Sequence, residues 1–250
     1  RKVTRSDIFI AIKGERVDGH DYVAHAAERG ATGAIVAREV DADIAQYVVP
    51  DPLRALQDLA YQRRNDRPKL KVIAVTGSVG KTTTKELTAA VLSTRFNTFK
   101  SAGNLNSEIG MPMMLLQITQ KHRRAVLEMG MWAPGEIAFL CELAQPEIGI
   151  VTNVGPSHLE RMGTMDAIEK EKGDLPAALP EDGVAILNAD DPRVLRMSER
   201  TNANLLTFGL SQEADVRAEE IYSQGLAGVR FTLVHGDERQ PVYSRLPGRA

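Results

Sequence analysis

The chain has 250 residues, enough for one large or two modest domains, and its 43% hydrophobic and 26% charged content is ordinary for a folded globular protein. A net charge of −2 leaves no basic footprint for nucleic acid, and no run approaches the ~18–20 apolar residues of a membrane span. The one cysteine, Cys141, excludes a disulfide framework within the chain and suits a reducing cytoplasm. No secretory leader is visible, and the first residue is Arg1 rather than methionine, as in a fragment. A monomer is the expected state.

Residues 1 to about 67 read as a small α/β domain. Ile8–Ile12, Ala34–Val36 and Tyr47–Val49 are expected strands, and Asp21–Arg29 and Leu53–Arg64 expected helices. The polar stretch Arg63-Arg64-Asn65-Asp66-Arg67-Pro68 reads as a linker. A second domain, 68–250, opens with an apolar run at Val72–Val75. Further strands are expected at Ala125–Leu127, Ile148–Val151, Val184–Leu187 and Leu205–Phe208, with helical stretches between them. Near-continuous apolar strands alternating with helices point to a mostly parallel sheet covered on both faces. Val229–Val234 and Val242–Leu246, joined by Gly236-Asp237-Glu238-Arg239, read as an antiparallel hairpin. The fold class is α/β.

Ligands in such sheets sit beyond the carboxyl ends of the strands. Those ends carry Thr76–Gly80, Glu128, Thr152–His158 and Asn188–Asp191. The first is the most informative. Gly77-Ser78-Val79-Gly80-Lys81-Thr82-Thr83 follows a strand and opens a helix expected over Thr84–Phe96. Backbone N–H groups and the helix dipole converge there on one point, Lys81 adds a cation, and Thr82 adds a hydroxyl suited to Mg²⁺. This is a phosphate cradle for a nucleoside triphosphate. The general G-x-x-x-x-G-K-[ST] pattern would place its first glycine at Val75, whereas here it is Gly77.

Three more stretches occur in order: Leu127-Glu128-Met129-Gly130, Thr152-Asn153-Val154-Gly155-Pro156-Ser157-His158-Leu159 and Glu171-Lys172-Gly173-Asp174. With the short glycine loop they resemble the Mur ligases, ATP-dependent enzymes that add amino acids to the peptidoglycan precursor. Asn104-Leu105-Asn106, Ile109-Gly110-Met111-Pro112 and Met131-Trp132-Ala133-Pro134-Gly135-Glu136-Ile137 are most similar to the MurF branch. Asp7-Ile8-Phe9-Ile10-Ala11-Ile12-Lys13-Gly14 and Asp18-Gly19-His20 resemble the domain that holds the UDP end of the substrate.

The resemblance implies an amide ligase that joins D-Ala-D-Ala to UDP-N-acetylmuramoyl-tripeptide, using ATP and two Mg²⁺ ions. A carboxylate is first phosphorylated and an amine then displaces phosphate, so cations and positioning should dominate catalysis. By resemblance Lys81 contacts the β- and γ-phosphates, Thr82 and Glu128 bind one Mg²⁺, and His158 binds the second. Lys172 is implied to be carbamylated, which turns a cation into an anion that supports that metal. On residue type alone His158 reads first as a structural or solvated histidine and Lys172 as an ordinary solvated lysine. Asn104, Asn106 and Ser107 face substrate or serve simple turns. Gly14, Asp18, Gly19 and His20 line a substrate loop or merely join strand to helix. Asn188–Asp191 reads as a turn and helix cap, and Trp132 as packing under the site or elsewhere.

Two departures stand out. Pro176, four residues after Lys172, should kink a helix there. The family continues Pro-Gly-Arg with histidine, whereas Pro247-Gly248-Arg249 is followed by Ala250, and the family's third domain has no counterpart. Little ligase turnover is expected from these residues alone. The alternatives are another Mur-type, folylpolyglutamate- or cyanophycin-type ligase, or a P-loop protein of another class that needs neither His158 nor a modified Lys172.

Overall fold

A computed structural model describes residues 3–246, so Pro247–Ala250 lie outside the described residues. The first unit is a three-stranded parallel sheet of β1 (Ile8–Ile10), β2 (Gly33–Val36) and β3 (Ala45–Val48). Helix α1 (Val23–Glu28) crosses from β1 to β2, preceded by a 3₁₀ turn, Gly19–Tyr22. The predicted strand to Ile12 stops at Ile10, because Ile12 N–H turns back to the Ile10 carbonyl.

Helix α2 (Pro52–Asn65) begins where the Asp51 carboxylate accepts from Leu53 and Arg54 N–H, with Pro52 at its first position. It absorbs half of the predicted linker. Arg64 is buried and donates to the Ala144 and Gln145 carbonyls, capping a helix of the second unit. Ala60 joins the main core of that unit. The polar run therefore docks rather than swings.

The second unit is a nine-stranded sheet. In chain order its elements are β4 (Lys71–Thr76), α3 (Lys81–Ser93), β5 (Thr98–Lys100), α4 (Gly110–Leu116), β6 (Arg124–Glu128), α5 (Glu136–Ala144) and β7 (Ile148–Val151). Then follow α6 (Leu159–Met162), α7 (Met165–Lys172), α8 (Asp174–Ala177), β8 (Val184–Asn188), α9 (Pro192–Leu195), β9 (Asn204–Gly209), β10 (Val216–Ser223), β11 (Val229–His235) and β12 (Glu238–Ser244). The spatial order is β12-β11-β10-β9-β8-β7-β4-β6-β5. Every pairing from β5 to β10 is parallel, and β10-β11-β12 is antiparallel.

Alternation along β4 splits the core. Val72 and Ala74 pack with Leu115, Ile137 and Leu140 on one face, and Ile73 and Val75 pack with Ala89 and Ile150 on the other. The predicted hairpin is present, with a tighter turn: His235 pairs with Glu238, so Glu238 and Arg239 belong to the strand. It extends the parallel sheet through β10, which sequence reading did not expect.

Candidate functional site

The central strands β4, β6, β7 and β8 end along one edge, and their following turns interlock. Ser78 N–H donates to the Asn153 carbonyl at 3.0 Å and Val79 N–H to Asn153 Oδ1 at 2.9 Å. The Thr152 hydroxyl donates to the Val79 carbonyl at 2.7 Å, and Ser78 Oγ exchanges hydrogen bonds with Gly155. The turn after β8 joins in: Asp191 accepts from Val154 N–H at 2.7 Å and caps α9 through Arg193 N–H at 2.9 Å. Asn188–Asp191 is thus structural and braces the turn beside the glycine loop.

Gly77 sits at φ +146°, and a Cβ there would lie 1.9 Å from Thr152 Oγ1. The misplaced first glycine is where the loop presses on β7's turn. Gly80, at φ +85°, is the N-cap of α3, and Thr84 N–H bonds its carbonyl at 2.9 Å. The N–H groups of Lys81, Thr82 and Thr83 then have no carbonyl within the helix to reach. Val79 is exposed at the loop tip.

Lys81 bends over this cradle, its Nζ donating to the Gly77 carbonyl at 2.8 Å. Burial lowers its pKa, with Glu128 opposing. Glu128, at the end of β6, is 3% exposed. Its Oε2 accepts from the Thr82 hydroxyl at 2.9 Å and its Oε1 from Asn106 Nδ2 at 2.8 Å. Its N–H donates to Ser101 Oγ at 3.1 Å. Ser101 was not anticipated. It is a small hydroxyl in an unassigned loop, and no spacing marked it.

Gly77, Lys81, Asn106, His158 and Lys172 all line one cavity of about 370 Å³, with Asn104, Ser107 and Trp132 at its wall. His158 is held at φ +60°, just before α6, and its ring meets the edge of Trp132 with centroids 5.9 Å apart. Trp132 is half exposed and carries Arg161 on its other side, 3.5 Å from the ring centroid. It forms the rim rather than the floor. Ser107 also starts α4, accepting from Gly110 N–H at 3.3 Å. Thr82 and Thr83 line an adjoining cavity along α3.

Lys172 ends α7 and is 2% exposed. Its Nζ lies 3.7 Å from Met131 Sδ, and burial, aided by the Lys81 charge and opposed by Glu171, pulls its pKa down to about 8. Glu171 is inward too, accepting from Gly135 and Ile137 N–H at the start of α5. The expected kink is a clean break. Gly173 ends α7 and starts α8, and Pro176 falls in the first turn of α8, where its missing N–H leaves no gap.

The residues Gly14, Asp18, Gly19 and His20 are not at this edge. They close a turn onto β2. Asp18 accepts from His20 N–H at 3.0 Å and from His20 Nδ1 at 2.6 Å, and Arg38 pairs with it at 3.2 Å. Ala37 N–H donates to His20 Nε2 at 2.8 Å, which assigns the ring proton to Nδ1. His20 is buried with both nitrogens engaged. A Cβ on Gly19 would lie 2.7 Å from Ile12 backbone atoms, so that glycine serves chain packing. Hydrogen bonds to His20 hold the Asp18 carboxyl down at about 2.

Residues 75–250 match the Mur ligase middle domain, and residues 1–75 match the Mur ligase family, catalytic domain. UDP-N-acetylmuramoyl-tripeptide–D-alanyl-D-alanine ligase of Escherichia coli is 44% identical over 100% of this chain and 55% of its own length. The same-named protein of Bacillus subtilis is 38% identical over 93% of this chain and 50% of its own. The crystal structure of MurF from Acinetobacter baumannii superposes with TM-score 0.91 at 37% identity, covering 98% of this chain and 54% of that one. MurF ligase from Thermotoga maritima in complex with ADP gives TM-score 0.85 at 33% identity, covering 97% and 56%. The chain spans about half the length of the curated relatives it matches. On these matches and this site, the chain belongs to the Mur ligase family.

Proposed function

We propose that the chain forms the nucleotide site of an ATP-dependent ligase that joins D-Ala-D-Ala to UDP-N-acetylmuramoyl-tripeptide in the cytoplasm. The observation that carries this is a cavity at the strand ends lined by Lys81, Asn106, His158 and Lys172, with Asn106 tied to the Glu128 carboxylate that also holds the Thr82 hydroxyl. The relatives' names and the ADP complex of the Thermotoga protein support it.

ATP enters as a substrate. The free N–H groups of Lys81, Thr82 and Thr83 would hold its phosphates, and Lys81 would exchange its two loop carbonyls for phosphate oxygens. Thr82 and Glu128 offer adjacent hard oxygens, and among the described residues no group of three or more His, Cys, Asp or Glu could hold a metal. One carboxylate and one hydroxyl suit Mg²⁺, which takes few protein ligands and keeps water and phosphate as the rest. Bound there, it would neutralise charge between the triphosphate and the approaching carboxylate. Lys172, with its lowered pKa, has neutral amine available for CO₂, forming an N-carboxylate with loss of a proton. That anion and His158 would hold a second Mg²⁺. We further assign residues 1–67 to the UDP end of the substrate.

The test is ADP release by the full-length protein. We expect release that requires both UDP-N-acetylmuramoyl-tripeptide and D-Ala-D-Ala, with an amide-linked product by mass. Equal turnover with another amino acid or with glutamate acceptors would move the chain to a different ligase. Release indifferent to any acceptor would overturn the ligase reading.

A further inference from the structure

Lys85 lies one turn after Lys81 on α3 and has 0% of its surface exposed. A buried ammonium is retained only where it is paired. Lys85 Nζ donates to the Gly103 carbonyl at 3.2 Å and stands 3.4 Å from Glu86 Oε1 and 3.8 Å from Glu128 Oε2. Glu86 is shared with Lys100 of β5. Glu128 is in turn bound by Asn106, three residues beyond Gly103. One cation therefore touches both the loop and the carboxylate that the loop grips. Lys81, one turn earlier, also feels the Glu128 charge.

We propose that Lys85 is a positioning residue of the nucleotide site: its buried ammonium clamps the Gly103–Asn106 loop and the Glu128 carboxylate against α3, so that Glu128 and Thr82 present their oxygens to one ion. It acts through Glu128 and touches neither nucleotide nor metal. The proposal rests on the reading of this edge as the Mg²⁺–nucleotide site.

The experiment is a Mg²⁺ titration of ADP binding to the full chain, followed by a fluorescent ADP analogue. Lys85→Met should raise the Mg²⁺ concentration for half-maximal binding by about tenfold or more, as expected for a residue that orients a metal ligand. Affinity in EDTA should stay within about twofold. In a Glu128→Gln background the same substitution should change the Mg²⁺ requirement by less than about twofold, because its target is already gone. An unchanged Mg²⁺ requirement in folded Lys85→Met, or an equal shift in both backgrounds, overturns the proposal and leaves the site reading intact. Wild-type binding without any Mg²⁺ dependence sinks the site reading instead. Should a thermal melt show Lys85→Met unfolded, Lys85→Gln decides. It keeps a donor for Gly103 without the charge, and a wild-type Mg²⁺ requirement there overturns the proposal.

Discussion

Two glycine loops at strand ends, Gly77–Gly80 and Gly14–Gly19, look alike in sequence and differ in how they use polar groups. Around Gly77–Gly80 loop polar atoms are bound to the β7 turn, the first N–H groups of α3 have no acceptor within the helix, and Lys81, donating to the Gly77 and Ser78 carbonyls, lines a cavity. Around Gly14–Gly19, Asp18 and His20 are taken up by each other, by Arg38 and by Ala37 N–H. The first loop leaves helix-start donors beside a cavity, whereas in the second the Asp18 and His20 side chains bind within the turn and to its neighbours. The glycines differ likewise, since Gly77 makes room for a neighbouring turn that shapes the cradle and Gly19 makes room for its own chain.

The largest expected break is Lys81→Ala. It removes the cation bent over the cradle and should lower turnover of the full-length enzyme by about 10²–10³-fold, read as initial ADP release. Gly77→Ala comes next. Its Cβ would overlap Thr152 Oγ1 at a φ unsuited to a side chain, so the loop must shift. We expect about 1–3 kcal/mol of destabilisation in a urea melt, with nucleotide binding lost. Gly80→Ala sharpens the point. Nothing lies within 4 Å of its Cβ, so only backbone strain of about 1 kcal/mol should appear.

That contrast also marks what was legible. Strands buried on both faces announce themselves as apolar runs, so Val72–Val75 and Ile148–Val151 were found within β4 and β7 almost to the residue. Strand β10 was not visible in the sequence, because Val216–Ser223 is half-exposed and polar and carries a bulge near Glu220, at φ +50°. Short β5, with three residues, and α4, which contains Pro112, gave too little periodicity. Within the site, the cradle and Glu128 were readable because a strand–glycine–helix order dictates where backbone donors point. Lys85 was missed because an isolated lysine reads as solvated. The available signal was its spacing of four from Lys81, which puts both on one helix face. That Asp18 and His20 satisfy one another is also invisible in sequence, because it depends on the turn that brings them together.

A smaller effect separates stability from function at Lys172. Its pKa falls from 10.5 to about 8 on folding, so between those values the unfolded chain holds more protons and stability rises with pH. Below pH 8 the folded protein carries a buried ammonium that opposes folding by up to about 3 kcal/mol. In CO₂-free buffer Lys172→Met should therefore melt higher than wild type at pH 7, by about 2–4 °C per kcal/mol recovered, and the gap should close toward pH 10.5. Ligase turnover should fall sharply in the same variant. A lower melting temperature at pH 7 would mean that the ammonium is well paired there.

The smallest effect belongs to the other loop. The carboxylate of Asp18 is held at about 2 by His20, below its ordinary 3.8. A depressed carboxyl stabilises the folded chain above pH 3.8, and that contribution is lost as pH falls through 2. Asp18→Asn removes the charge but can still accept from His20 N–H, so it should shift the melting temperature slightly at pH 7 and flatten its fall in acid. Because His20 and Asp18 serve the turn and lie away from the strand-end cavity, ADP binding should be unchanged. Loss of UDP-substrate binding without loss of stability would reverse the contrast between the two loops, since it would show Asp18 holding a ligand rather than only its own turn.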